Sequence, residues 1–430
     1  MTHLEKWIHG KIFSKSPALT RYDIERYQLE KLKETIDWCR EKSPFYRRHL
    51  KSITGESLDG LKDLSRLPFT VPDDITENDL QFLCVSRDDI KRVVTLQTSG
   101  TSGNPKRLYF TREDLNLSID FFAHAMPAFV RPGGKVMILL PGGKPDSVGD
   151  LIARGLSVFG AEGIIHGPVL DPQNAAREIV LHRPECIIGI PTQVFWLAGT
   201  GRVPPGIIEN IILTTDYVPE AIIRVVEKSW QCRVFNHYGM TEMGLGGGVE
   251  CGARDGYHLR EADLYLEIVD PETGLQKNDG EAGEIVFTTL TRKGMPLIRY
   301  RTGDISSFMK ETCGCKTVLK RLARVRGRLA NQVVLGNEIL CMADMDETLF
   351  SIPGLFNFKA SVTHEKSKPF LHIKLFVSNE EKNDGILMLA EDALKRMPAI
   401  HNAMANSGLT MEIDFSRINW YTTGSEKRTL

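Results

Sequence analysis

Hydrophobic periodicity changes character along this 430-residue chain, and each change predicts a different architecture. Over 24–42 the apolar positions Leu29, Leu32, Ile36 and Cys39 recur at helical spacing among charges, predicting an amphipathic helix that stops before Pro44. Pro44, Pro68 and Pro72 then sit among short apolar clusters, a pattern of loops and short helices. The run 92–96 reads as a strand, 113–130 as a helix, and 136–140 as a buried strand ending at Pro141. The alternation continues with helices near 149–159, 173–182 and 219–230 and strands at 186–190, 207–214 and 233–237. Elements of these lengths predict an α/β sheet covered by helices on both faces, whose ligands bind beyond the carboxyl ends of the strands. From Leu264 short alternating runs at 265–269, 284–288 and 297–301 predict an antiparallel β subdomain. Beyond Arg328, a helix at 342–350, strands at 370–377 and 409–415 and a helix at 380–397 predict a small α+β domain. The division is therefore a large domain over 1–328 and a small one over 329–430.

Composition narrows the classes. At 42% hydrophobic content the chain buries a large core, and 54 basic against 55 acidic side chains leave no net field for nucleic acid or an anionic membrane. No apolar run approaches the ~20 residues that cross a bilayer, and no signal-peptide core opens the chain, so a cytoplasmic protein is expected. Eight cysteines are sparse for this length, which favours reduced thiols or metal ligands over disulfides. Whether the chain forms a homodimer is left open by the sequence.

The chemistry centres on TSGTSGNPK. Here Thr98, Ser99, Thr101 and Ser102 offer hydroxyls, Gly100 and Gly103 let backbone N–H groups approach an anion, and Lys106 adds a point charge. Phosphate is the expected guest, yet neither glycine precedes a lysine, so this is not the Walker A loop of ordinary ATPases. With Tyr238–Gly239–Met240–Thr241–Glu242 and Tyr300–Arg301–Thr302–Gly303–Asp304, the loop resembles the adenylate-forming enzymes, specifically phenylacetate–coenzyme A ligases. The resemblance extends in order through Ser43–Pro44–Phe45–Tyr46–Arg47, Leu67–Pro68–Phe69–Thr70, the segment 269–274 and the segment 283–290.

That resemblance implies an ATP-dependent, AMP-forming ligase that activates a carboxylic acid, aryl or arylacetic, as an acyl-adenylate and transfers it to coenzyme A. It assigns Thr98 to Gly103 and Lys106 to the β and γ phosphates, Glu242 to Mg²⁺, Thr241 to the α-phosphate and Tyr238 to adenine stacking beside Gly239. Asp304 would accept the ribose hydroxyls, with Arg328 as a ribose or phosphate contact. Thr215 and Asp216 stand where the family reads Ala-Glu beside the purine. Pro191 and Thr192 fall in the acid-binding segment, followed by Phe195 and Trp196, which suit an aryl acid and a plain core equally.

The cysteines carry a separate signal. Cys313–Gly314–Cys315 places two thiols on a turn, with Cys251 and His258 on another stretch; four such ligands suit tetrahedral Zn²⁺, and reduced thiols are the alternative. Some members of the resembled family carry cysteines and a histidine in these segments, which implies structural zinc. The tail departs from the family: Ser425 takes the place of the usual lysine, leaving Lys427 as the nearby substitute for adenylation, and Ala330–Asn331 replaces the usual Asp-Asp hinge. Two other functions fit the same nucleotide loop. One is a nucleotidyltransferase that leaves AMP on a cofactor or phenol hydroxyl; the other is a nucleotide-binding protein without turnover.

Overall fold

A computed structural model describes residues 1–12, 18–51, 53–96, 105–365, 368–377, 383–417 and 430. Within them the chain forms two compact units: one of 1–133, 144–163 and 236–325, the other of 134–143, 164–235 and 326–430.

In the first unit, helix Arg21–Lys42 begins at Thr20, whose hydroxyl accepts from Asp23 N while Asp23 closes the capping box. Its buried stripe is Ile24, Gln28, Leu32, Thr35, Ile36 and Cys39, so two polar residues stand where an apolar face was expected and Leu29 is only half-buried. Gln28 Nε2 donates to Glu261 O at 3.0 Å and Thr35 Oγ1 to Leu290 O at 3.1 Å, which satisfies both on burial. Strand Ile90–Leu96 pairs antiparallel with strand Lys106–Thr111, in register Leu96↔Lys106. Lys106 thus opens a strand, and helix Arg112–Ala125 follows, capped by Thr111.

The β subdomain has strands Leu264–Val269, Gly283–Thr289 and Tyr300–Ser306, successive neighbours being antiparallel. The third expected strand, 297–301, is displaced toward the carboxyl end. Arg299 adopts the left-handed conformation (φ 47°), which breaks extended backbone before Tyr300. That geometry brings the buried Arg299 guanidinium onto Glu267 at 3.1 Å and 4.0 Å above the Phe69 ring.

In the second unit, strands Lys135–Ile138, Cys186–Gly189 and Asn210–Leu213 run parallel, in register Val136↔Cys186↔Asn210. Every position of Cys186–Gly189 and Asn210–Leu213 is buried, as in a sheet covered on both faces. Helices Pro172–His182, Pro191–Gly199 and Glu220–Trp230 connect these strands and follow them. One core runs from Met137, Ile187, Ile211 and Trp230 to Leu340, Phe350, Leu371 and Leu409, so residues beyond 328 share it. There strand Leu355–Glu365 pairs antiparallel with Lys368–Val377, which pairs parallel with Thr410–Arg417. The helix expected over 380–397 is Asn383–Lys395, and a second helix, Pro398–Asn406, follows it; Pro398 opens that helix because it lacks the amide needed to continue the first.

Candidate active site

Strand Arg233–Tyr238 ends at Gly239, and the chain turns through Thr241–Met243. The turn is tight enough to need glycine: a Cβ at Gly239 would lie 2.2 Å from Leu245 O. Gly244 (φ 74°) and Leu245 (φ 73°) then take left-handed conformations in succession and bring Leu245 N onto Met240 O at 2.9 Å.

This turn delivers Glu242, 3% exposed, to the start of strand Lys106–Thr111. Lys106 Nζ forms an ion pair with Glu242 Oε1 and donates to Tyr300 Oη at 2.9 Å, and that hydroxyl lies 3.4 Å from the same carboxylate oxygen. Burial makes the pair costly unless other hydrogen bonds support it. Tyr300 contributes one such bond to the carboxylate, and Arg292 braces the backbone instead: Nη1 donates to the Glu242 carbonyl O at 2.9 Å, Nη2 to Tyr109 O at 3.0 Å, and its guanidinium lies 4.3 Å from the Phe110 ring. It thereby ties the Glu242 turn to the strand that Lys106 opens. Asp114 fixes the loop carrying Arg292 by accepting from Lys293 N and Gly294 N at 2.9 and 3.1 Å.

A second pair lies in the same unit. Tyr238 Oη donates to Asp304 Oδ2 at 2.9 Å, both residues being buried. Asp304 is held by Thr302 Oγ1, which accepts its N–H at 3.0 Å, after Gly303 turns the strand at φ 74°.

Cys251, His258, Cys313 and Cys315 converge as well, their donor atoms all lying within 4.8 Å of one another. Cys251 Sγ is 3.6 Å from Cys313 Sγ, and Cys315 Sγ is 3.4 Å from His258 Nε2. A tetrahedral site with Zn–S near 2.3 Å has edges of about 3.5–3.8 Å, so the donor set and its spacing fit a four-ligand metal. Burial first, then Arg321, pushes the His258 pKa down to about 4, which keeps the imidazole neutral and able to ligate.

The other expected residues lie in the second unit. Pro191 and Thr192 open helix Pro191–Gly199; Thr215 and Asp216 follow strand Asn210–Leu213; Arg328 ends strand Gly327–Arg328. Thr215 holds φ 78°, a strained conformation for a β-branched residue and one that clusters at functional loops. Phe195 and Trp196 belong to the core: Phe195 sits edge-on to Phe350 at 5.4 Å, and Trp196 clusters with Phe356 and Phe376. Thr98, Ser99, Gly100, Thr101, Ser102, Gly103 and Lys427 lie outside the described residues.

Tyr300 and Arg292 were given no role by sequence reasoning. Tyr300 opens the segment quoted for Asp304, so its place at least was visible. Nothing in the sequence marks Arg292 as buried.

A buried lysine–carboxylate pair at a glycine turn, on an α/β framework with a tyrosine–aspartate pair beside it, is suited to an enzyme that handles a phosphorylated nucleotide. The chain belongs to the AMP-binding enzyme family, whose model matches residues 61–290. It is similar to phenylacetate–coenzyme A ligase of Thermus thermophilus, 29% identical over 423 residues that span 92% of this chain and 93% of the relative. It is also similar to phenylacetate–coenzyme A ligase of Aromatoleum evansii, 29% identical with 77% of each chain covered. Among solved structures, 2-hydroxyisobutyryl-CoA ligase in the postadenylation state matches with TM-score 0.79 and 20% identity, over 96% of this chain and 88% of that one. At that identity the likeness speaks for the fold.

Proposed function

We infer that this chain is an AMP-forming acid–thiol ligase: it joins a carboxylic acid to coenzyme A through an acyl-adenylate, releasing pyrophosphate in the first half-reaction and AMP in the second. The observation that carries this reading is the Lys106–Glu242–Tyr300 cluster, in a chain of the AMP-binding enzyme family.

Each residue has a task set by its chemistry. Lys106, at the end of the hydroxyl- and glycine-rich segment Thr98 to Gly103, exchanges Glu242 for a phosphate oxygen when nucleotide binds. Glu242 is then released to hold Mg²⁺, which when bound supplies charge neutralisation for two anions that must approach each other. Thr241 offers a hydroxyl to the α-phosphate. Tyr238 presents its ring to adenine, while the four lone-pair sites of the Asp304 carboxylate serve both the Tyr238 hydroxyl and the ribose. Thr215, Asp216 and Arg328 complete nucleotide recognition, and Pro191 and Thr192 face the acid. An arylacetic acid is the proposed class, on the strength of the relatives' names rather than of Phe195 and Trp196, whose rings are used in the core. The tetrad of Cys251, His258, Cys313 and Cys315 holds a structural zinc ion, with no ligand position left over for chemistry. The segment 329–430 acts as the small domain that repacks between half-reactions, bringing Lys427 to the first.

An acid library screened for pyrophosphate release, with and without coenzyme A, tests the reading. Free AMP plus a thioester is expected. A stable AMP conjugate would instead make the chain a nucleotidyltransferase, and nucleotide binding without release would remove turnover. Glu242→Gln should lower pyrophosphate release by ~10²-fold or more while the chain still folds. Wild-type release in that variant would sink the assignment of Glu242.

A further inference from the structure

Tyr300 sits where Lys106 and Glu242 meet, and its hydroxyl touches both. We propose that Tyr300 is a positioning residue that offers the Lys106 ammonium an acceptor besides Glu242, so that their ion pair can open and a divalent cation and a phosphate can each claim its own partner. The proposal rests on the reading of Glu242 as the cation-holding carboxylate.

The geometry supports this in three ways. Tyr300 is 1% exposed and cannot move freely: its backbone pairs with Phe287, its ring lies 5.4 Å from the Phe287 ring, and it bridges to Thr70. Its hydroxyl accepts from Lys106 Nζ at 2.9 Å and points its own proton toward Glu242 Oε1 at 3.4 Å, a double service that a hydroxyl can give and an apolar side chain cannot. Lys106 Nζ also lies 5.6 Å from the centre of the Tyr300 ring, within cation–π reach. The ammonium therefore has a second neutral acceptor that no ligand needs.

The physical consequence follows from burial. Lys106 and Glu242 side chains are 11% and 4% exposed, so little water screens their attraction, and that attraction competes with every ligand of either group. Without the phenol, the ammonium loses one acceptor and leans harder on the carboxylate. A cation must then displace a tighter partner. With the phenol, Lys106 can swing from Glu242 to a phosphate without ever being left with no acceptor.

The test reads ATP affinity by calorimetry across a Mg²⁺ series, on the full chain, for wild type, Tyr300→Phe, Phe287→Leu and Glu242→Gln. Tyr300→Phe keeps the ring and removes only the hydroxyl. It should raise the Mg²⁺ concentration that half-saturates the gain in ATP affinity about tenfold, the scale of one charge-assisted hydrogen bond, with kcat at saturating Mg²⁺ changed far less. Phe287→Leu loosens packing on the ring without touching Lys106 or Glu242, and should leave that concentration where it was. An unshifted value in Tyr300→Phe, or an equal shift in Phe287→Leu, overturns the proposal while the reading of Glu242 stands. If wild type shows no Mg²⁺ dependence, or Glu242→Gln retains it, the reading of the site itself fails. Should Tyr300→Phe not fold, Lys106→Gln gives the second measurement: with the ammonium gone the carboxylate is uncontested, so the half-saturating Mg²⁺ concentration falls. A rise or no change there overturns the proposal.

Discussion

His237 precedes the tyrosine that pairs with Asp304, and its Nε2 is shielded from solvent although part of the residue reaches the surface. Burial pushes its pKa from the ordinary 6.5 down to about 4. Above pH 6.5 the imidazole is neutral in both the folded and the unfolded chain. As pH falls from about 6.5 toward 4, the unfolded chain takes up a proton that the fold refuses, so stability falls, and it levels off below about 4. The full effect is at most about 3 kcal/mol by linkage. Urea unfolding of wild type and His237→Gln across this range should show a difference in stability that shrinks as pH drops; a difference independent of pH would show that His237 does not titrate as described. Residues of this kind mark the limit of legibility at this scale. Lys106 and Glu242 were visible because they stand in motifs whose order along the chain resembles that of the adenylate-forming enzymes. Tyr300 and Arg292 were not, because an aromatic or an arginine acquires its role from the atoms that surround it, and sequence spacing does not record those.

Among elements, the metal tetrad shows how little local structure can be asked to do. Strands Gly248–Val249, Tyr257–Leu259 and Arg321–Leu322 are two or three residues long, too short to hold themselves in register. They are joined in one ladder, His237↔Val249↔His258↔Arg321, and His258 is both a rung and a ligand. A metal ion at Cys251, His258, Cys313 and Cys315 would therefore clamp the ladder that ends beside Tyr238. Protein purified without added metal should carry about one zinc per chain by elemental analysis, and Cys313→Ala/Cys315→Ala should lose it and melt earlier by an amount corresponding to several kcal/mol. Zinc retained in full by the double variant, or none in wild type, removes the clamp. Element type was readable from helical spacing in helix Arg21–Lys42 and from short continuous apolar runs in the parallel strands of the second unit. A boundary failed where backbone conformation intervened: Arg299 breaks the strand expected over 297–301, whereas the helix expected over 380–397 stands as Asn383–Lys395 before a second one opens at Pro398. Strand Leu355–Glu365 was missed although Phe358, Ala360 and Val362 alternate with Asn357, Lys359 and Ser361, and its pairing with Lys368–Val377 defines it.

At the scale of the whole molecule, the open element of the mechanism is the tail. If Lys427 replaces the lysine that the family places at the position of Ser425, it acts in adenylation alone, bridging the acyl carboxylate and the α-phosphate. Lys427→Ala should then slow pyrophosphate release by ~10²-fold or more, the scale of one transition-state donor, and leave thioester formation from supplied acyl-adenylate intact. Equal loss in both half-reactions, or none in the first, would show that the tail has no such part. No helix among the described residues is long and apolar enough to cross a membrane. The compact units themselves are assembled from chain segments far apart: 1–133 packs with 236–325, and 164–235 with 326–430. By itself the sequence determined the α/β alternation, the antiparallel run after Leu264, the nucleotide motifs and the four metal-ligand candidates, because periodicity, glycine breaks and ligand chemistry are properties of residues and their near neighbours. Tertiary structure alone decided that Lys106 meets Glu242 and Tyr300 across 136 and 194 positions, that Phe195 and Trp196 fill a core, and that segments beyond 328 share it with the parallel strands. Those outcomes depend on which distant surfaces exclude water from one another, and burial of that kind is a property of the folded chain as a whole.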